Sequence, residues 1–121
     1  MPEQNTFHNI LREKIDSFVH AIYAVTRTFP REELYGMTSQ IRRAALSVAL
    51  NYVEGYARIR KLVHIQFLET AYGSLKETRY LIEFSSKEGM VDSQKAAALT
   101  DQSEEIGRML WRTIQGLKQR A

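Results

Sequence analysis

Proline stands at positions 2 and 30 and nowhere else in the 121 residues. Everything beyond Pro30 is therefore free of the residue whose ring and missing N–H break a helix from inside. Apolar side chains recur along the chain at spacings of three and four, the period of one helix face, and no segment alternates with period two. Together these facts predict long helices and no strands.

The spacing draws four helical segments. The first, about 5–29, carries the stripe Phe7, Leu11, Ile15, Phe18, Ile22, Val25 and Phe29. It ends because Pro30 disfavours helix at the preceding residue, and Pro30 then suits the start of a short turn reaching Glu33. Gly36 breaks the chain, and Thr38 or Ser39 is the expected cap of a second helix, about 38–58. Its main stripe is Met37, Ile41, Ala44, Ala45, Val48, Tyr52 and Tyr56. A second apolar row, Leu46, Leu50 and Val53, falls on a different face, with Glu54 beside it. A helix in an isolated small bundle buries one stripe, so two stripes predict that this helix also meets something outside its own bundle, and the row with Glu54 is the expected oligomer interface.

The third helix, about 61–88, is striped by Leu62, Ile65, Leu68, Tyr72, Leu75 and Ile82, with Ala71 and Gly73 as small residues that permit close approach. It has no cap residue at its start. Gly89 suits the left-handed position that follows a helix, with Met90 folding back on Phe84. Asp92 or Ser93 caps the fourth helix, about 92–119, whose stripe is Leu99, Ile106, Leu110, Ile114 and Leu117, flanked by Met109 and Trp111. Short connections between long helices favour antiparallel neighbours. The expected fold is thus all-α, one domain over 1–121, an antiparallel up-down four-helix bundle whose second helix assembles a homo-oligomer.

Composition narrows the function. With no cysteine there is no disulfide, thiolate zinc site or thiol nucleophile. The first residues lack the basic and apolar regions of a signal peptide, and no run approaches the roughly 20 apolar residues of a membrane span, so a cytoplasmic protein with no membrane partner is expected. The Glu-x-x-His pattern of di-iron bundles is missing, since Ser17 stands three residues before His20 and Lys61 three before His64. There is no nucleophile elbow, Walker loop or dinucleotide fingerprint. No cofactor, no metal and no catalytic residue are expected, and the protein is read as not an enzyme. Glu54 is expected to pair with Arg58 one turn later rather than to act as a general base.

Net charge is +3, from 17 basic and 14 acidic residues. The excess is local: between Gln40 and His64 lie Arg42, Arg43, Arg58, Arg60 and Lys61 against the single acid Glu54. These five are the candidate contacts to nucleic acid or a partner, although helix geometry divides them into two groups, Arg42 and Arg43 on the second helix and the rest at the turn into the third. Tyr52 and Tyr56 read first as core residues with hydroxyls at the rim.

The second helix also carries a recognisable pattern. The run from Tyr35 to Val48, with Ser39-Gln40-Ile41-Arg42-Arg43-Ala44 at its heart, resembles the four-helix-bundle proteins known as 23S rRNA intervening-sequence proteins. Asn51, Glu54 and Gly55 match the family's Asn-x-x-Glu-Gly. Phe29-Pro30 and the stretch Phe67-Leu68 followed by Ala71-Tyr72-Gly73-Ser74-Leu75-Lys76-Glu77 match as well. The resemblance implies a four-helix bundle and a ring-shaped homo-oligomer, a pentamer in typical members. The family name records a gene location within rRNA insertions rather than an activity. A related group, the accessory proteins of diversity-generating retroelements, implies a basic barrel that meets RNA and a reverse transcriptase. Two departures stand out: Ala49 replaces the family's usual proline, and Arg58-Ile59-Arg60 replaces its serine and lysine. The expected function is an oligomeric interaction protein that binds RNA, DNA or a nucleic-acid enzyme through repeated basic surface. The alternative is a protein-only scaffold.

Overall fold

The computed structural model describes residues 6–120. Helix α1 spans Thr6–Thr26, a short 3-10 turn Arg31–Glu33, α2 Met37–Tyr56, α3 Lys61–Lys87 and α4 Ser93–Gln119. There is no strand among the described residues. Each helix packs on two others: α1 on α2 and α4, and α3 on α2 and α4, with the α2–α3 seam the most extensive. That closed cycle is compatible with a bundle. No described helix is long and apolar enough to cross a membrane.

The predicted stripes build the core. Leu11, Phe18 and Ile22 of α1, Ala45, Val48 and Tyr52 of α2, Leu68, Leu75 and Ile82 of α3 and Ile106 and Leu110 of α4 are all but removed from solvent. Where the stripes skip a beat, small hydroxyl residues fill the space. Thr78 and Ser103 are buried and donate back to Ser74 O and Thr100 O, at 2.7 Å each, so their hydroxyls need no partner outside their own helix.

The helix ends follow local chemistry. At the end of α3, Gly89 takes φ 79°, Met90 N donates to Ser85 O at 2.9 Å and Gly89 N to Ser86 O at 3.1 Å, the paired bonds of a Schellman stop. Asp92 caps α4 through Lys95 N at 2.8 Å. At α2 the expected cap is corrected. Thr38 is buried one residue inside the helix, and the carboxylate of Glu33, from the preceding turn, accepts from Met37 N at 3.0 Å instead. Gly36 lets it in, because a Cβ there would sit 3.0 Å from the Glu33 oxygen. Helix α1 stops at Thr26, short of the expected Phe29, where the Thr26 hydroxyl turns back to Ile22 O at 2.8 Å. Helix α2 runs unbroken through Ala49, so no proline kink interrupts it.

Not every packing expectation holds. Phe7 and Tyr56, at the ends of their stripes, are exposed. Leu62, assigned to the α3 stripe, is 68 % exposed, while its neighbours Val63 and His64 are the half-buried residues of that turn. Gly73 allows no close approach, since a Cβ there would meet nothing within 4 Å. The glycine that does is Gly55, where a Cβ would lie 3.2 Å from both His64 Cδ2 and Phe67 Cβ across the α2–α3 seam. That contact is the physical reason for the glycine that closes the Asn-x-x-Glu-Gly motif.

Candidate interaction surfaces

The second apolar row of α2 lies outside the core. Leu46 is 39 % exposed, Leu50 60 % and Val53 46 %. Positions 46, 50 and 53 repeat at four and three, so they form one continuous ridge. Arg43 and Glu54 lie on the same outward face.

The five basic candidates meet different fates. Arg42 is spent inside the protein. Its Nε donates to Thr26 Oγ1 at 2.8 Å, its Nη2 to Tyr23 O at 3.4 Å, and its guanidinium lies 4.7 Å from the centre of the Tyr23 ring, so it fastens α2 to the end of α1. Arg43 is exposed and lines a shallow depression of about 440 Å³ with Tyr35, Ser39, Ser47 and Glu77. Below it Ser47 and Ser74 hydroxyls meet at 2.8 Å across the α2–α3 seam, and Asn51 Nδ2 donates to Ser47 O at 2.8 Å. The motif polar residues thus form one network that joins the two helices. Arg58 pairs with Glu54, as its spacing predicts, and also stands 5.0 Å from the centre of the Phe67 ring. Lys61 donates to Arg120 O at the far end of α4, and Arg60 is exposed without an ion pair among the described residues. The candidates form two separate groups, and no single patch gathers them.

The sequence gives no warning of an aromatic cluster at one end of the fold. Tyr52 is 1 % exposed, and its hydroxyl lies 2.6 Å from His8 Nδ1 of α1. Tyr56 sits between His8 and His64, tilted at 38° to the first and edge-on at 67° to the second, with ring centres 3.9 and 4.4 Å away. His64 Nε2 is buried and has no hydrogen-bond partner among the described residues. Desolvation, reinforced by Arg12, lowers the pKa of His8. Desolvation, reinforced by His8, lowers that of His64. Burial pushes Tyr52 strongly up, and it raises Tyr56 against the opposing pull of the Tyr52 hydroxyl and Arg120. At neutral pH all four groups are uncharged, which suits a packed end and not a charged site. Tyr52 and Tyr56 are therefore occupied by histidines and by each other, in keeping with the core reading of Tyr52. His8 and His64 are 56 residues apart in sequence (64 minus 8), so local spacing holds no signal of their meeting.

Two further ion pairs lie on α3. Glu69 reaches across to Lys118 of α4 at 3.0 Å. Glu83 sits 4.0 Å from Arg79, one turn earlier on its own helix. Among the described residues no three of His, Asp or Glu gather as metal ligands.

The sequence profile of the 23S rRNA-intervening sequence protein family matches residues 8–112. Five solved chains are similar in structure. One is a protein of unknown function from the S23 ribosomal protein family of Bacteroides thetaiotaomicron, 22 % identical, with a TM-score of 0.84 over 90 % of this chain and 98 % of that one. No curated protein sequence matches.

Proposed function

The chain belongs to the 23S rRNA-intervening sequence protein family, and from that membership and its exposed surfaces we propose that it is a non-enzymatic, cytoplasmic interaction protein that works as a homo-oligomeric ring and presents repeated basic surface to nucleic acid or a nucleic-acid enzyme. The observation that carries the reading is the aliphatic ridge Leu46, Leu50 and Val53 on the outer face of α2. A contiguous aliphatic ridge left in water marks a protein contact, and exposed Arg43 on the same face offers a charge to an intersubunit ion pair.

An antiparallel up-down arrangement within each subunit is supported by which ends meet. His8, at the start of α1, touches Tyr52 and Tyr56 at the end of α2, whereas Arg42, near the start of α2, holds Thr26 at the end of α1. Arg60 at the α2–α3 turn and Arg43 beside the ridge would recur around a ring, and repetition strengthens the field that a polyanion meets. The second reading, a protein-only scaffold, is favoured by Arg42 and Arg58, whose charges are already engaged within the subunit.

Light scattering coupled to gel filtration, with and without RNA, tests both. The expected result is a particle of several subunits, five by the resemblance, that gains mass with RNA at low salt and loses it as salt rises. A monomer overturns the assembly reading. An oligomer indifferent to RNA at every salt concentration leaves the scaffold.

A further inference from the structure

A groove of about 760 Å³ runs between α3 and α4, and no residue of α2 lines it. Its walls are Tyr72 of α3 and Arg108, Trp111, Arg112 and Gln115 of α4, with Gly107 at its floor. Positions 108, 111, 112 and 115 recur at three and four, so they share one face of α4, turned away from the buried Leu110 and Ile114. Gly107 keeps the floor low. A Cβ there would touch Leu75 Cδ2 at 3.5 Å and Tyr72 Cε1 at 4.0 Å.

The chemistry of this lining differs from that of the depression beside Arg43. Trp111 is 54 % exposed, unlike the interior residues of its stripe. Its ring centre is 5.9 Å from that of Tyr72 at an interplanar angle of 46°, so two aromatic faces stand apart at an angle and are not closed on each other. Lys76 Nζ lies 5.2 Å from the centre of the Tyr72 ring. Arg108 and Arg112 form no ion pair among the described residues, and no carboxylate lines the groove. The nearby acids are committed elsewhere: Glu69 to Lys118 at 3.0 Å and Glu104 to Arg79 at 2.9 Å. Arg112 also lies 5.9 Å from the centre of the Phe7 ring of α1, a contact that leaves its charge without a counter-ion. An exposed indole beside a half-buried tyrosine, planar cations without a carboxylate partner and an amide make up a surface that recognises flat rings joined by negative charge.

We propose that the α3–α4 groove is a binding site for single-stranded nucleic acid, in which a base stacks on Trp111 and Tyr72 and the flanking phosphates are held by Arg108 and Arg112. This rests on the polyanion reading above and gives it a location that none of the five sequence candidates occupies. A single strand fits because its bases offer free faces, which a duplex hides within its own stack. The guanidiniums take phosphate oxygens as charge-assisted, two-pronged donors, and Gln115 supplies a donor and an acceptor to a base edge.

Trp111 is the only tryptophan in the chain, so its emission reports on this groove alone. The test titrates the protein with a short fluorescently labelled oligouridylate at low salt, following Trp111 emission and label anisotropy together. The expected result is saturable quenching that tracks anisotropy, and no quenching by a duplex or an acidic peptide. Trp111→Leu should weaken anisotropy-detected binding about tenfold, the scale of one lost base–aromatic stack. Joint Arg108→Gln and Arg112→Gln should reduce the slope of log affinity against log salt by about 1.4, two single-strand phosphate contacts. Gln115→Glu sets a carboxylate on the groove face about one turn beyond Trp111 and Arg112 without disturbing an aromatic ring, and should also weaken binding if Trp111→Leu proves too unstable to purify. Oligouridylate that binds with unchanged Trp111 emission, and weakens on Arg60→Gln with Lys61→Gln but not on the groove changes, overturns the groove and leaves the polyanion reading standing. Absence of any anisotropy change overturns both. Equal quenching by duplex or acidic peptide overturns the single-strand assignment.

Discussion

The outer face of α2 and the groove beside α4 both leave apolar side chains in water, yet they are built from different materials. The α2 face is an aliphatic ridge, Leu46, Leu50 and Val53, whose charged neighbour Arg58 is already paired with Glu54. The α4 groove holds an exposed tryptophan beside a tyrosine, with arginines that form no ion pair among the described residues. Aliphatic ridges have no directional chemistry and are satisfied by any complementary apolar surface, which a second copy of the chain supplies. Aromatic faces flanked by free guanidiniums are directional and charged, and they select flat anionic ligands. On the proposed reading the two faces divide the labour of the molecule: one would assemble, the other bind.

The strongest challenge to that division is Leu50→Glu. A charge in the middle of the ridge should reduce the oligomer to monomers in light scattering while circular dichroism stays helical and Trp111 still responds to oligouridylate. If binding disappears with the oligomer, the two faces are not independent.

Next in size is Gly55→Ala. Its Cβ would press on His64 and Phe67 at 3.2 Å, and overpacking of this kind costs about 1–3 kcal/mol. A denaturant titration should show the loss. The matching change beside the groove, Gly107→Ala, meets only ordinary contact at 3.5 Å and gains helix propensity of about 1 kcal/mol. It should hold or raise stability while shallowing the groove. Equal losses at the two glycines would erase the steric contrast between the seams. Removing the cap with Asp92→Ala should cost about 1 kcal/mol, read as a lower thermal midpoint, with the oligomer intact.

The smallest effect is in pH. Burial holds His8 and His64 below the ordinary histidine value of 6.5. The folded state therefore binds fewer protons than the unfolded chain between the lowered values and 6.5. Stability from this source is complete above about pH 6.5 and is lost as pH falls below it. Stability followed from pH 8 to 5 should decline over that window, and His64→Gln should flatten the decline. The α4 groove contains no histidine, so the position of Trp111 emission should not follow the same curve.

Much of the fold is legible in the sequence because period and punctuation are local. Spacing places the stripes, Gly89 and Asp92 mark the α3–α4 connection by their own backbone chemistry, and the double row on α2 announces an exposed ridge. The surfaces are less legible because they depend on register between helices. Nothing near Trp111 indicates that Tyr72, 39 positions earlier (111 minus 72), lies across from it. Arg42 reads as a free cation until its bond to Thr26 is seen, and Gly73 and Gly55 are the same residue type with opposite surroundings. Glu33 caps a helix it does not belong to, which no cap rule applied to Thr38 and Ser39 reveals.

The way the seams are fastened has its own consequence. Among the described residues, every ion pair between helices involves α4: Lys14–Glu105 at 3.2 Å, Arg79–Glu104 at 2.9 Å and Lys118–Glu69 at 3.0 Å. The α2 seams rest instead on a glycine contact, a serine pair and the Arg42 clasp. Exposed ion pairs contribute about 0.2–1 kcal/mol each and fade as salt screens them, whereas steric fit does not. Rising ionic strength should therefore speed amide hydrogen exchange in α4 before α2 or α3. If the groove binds and the ridge assembles as proposed, such a molecule would breathe on its binding side while its assembling side stays shut, and a ring would loosen its grip on a ligand without coming apart.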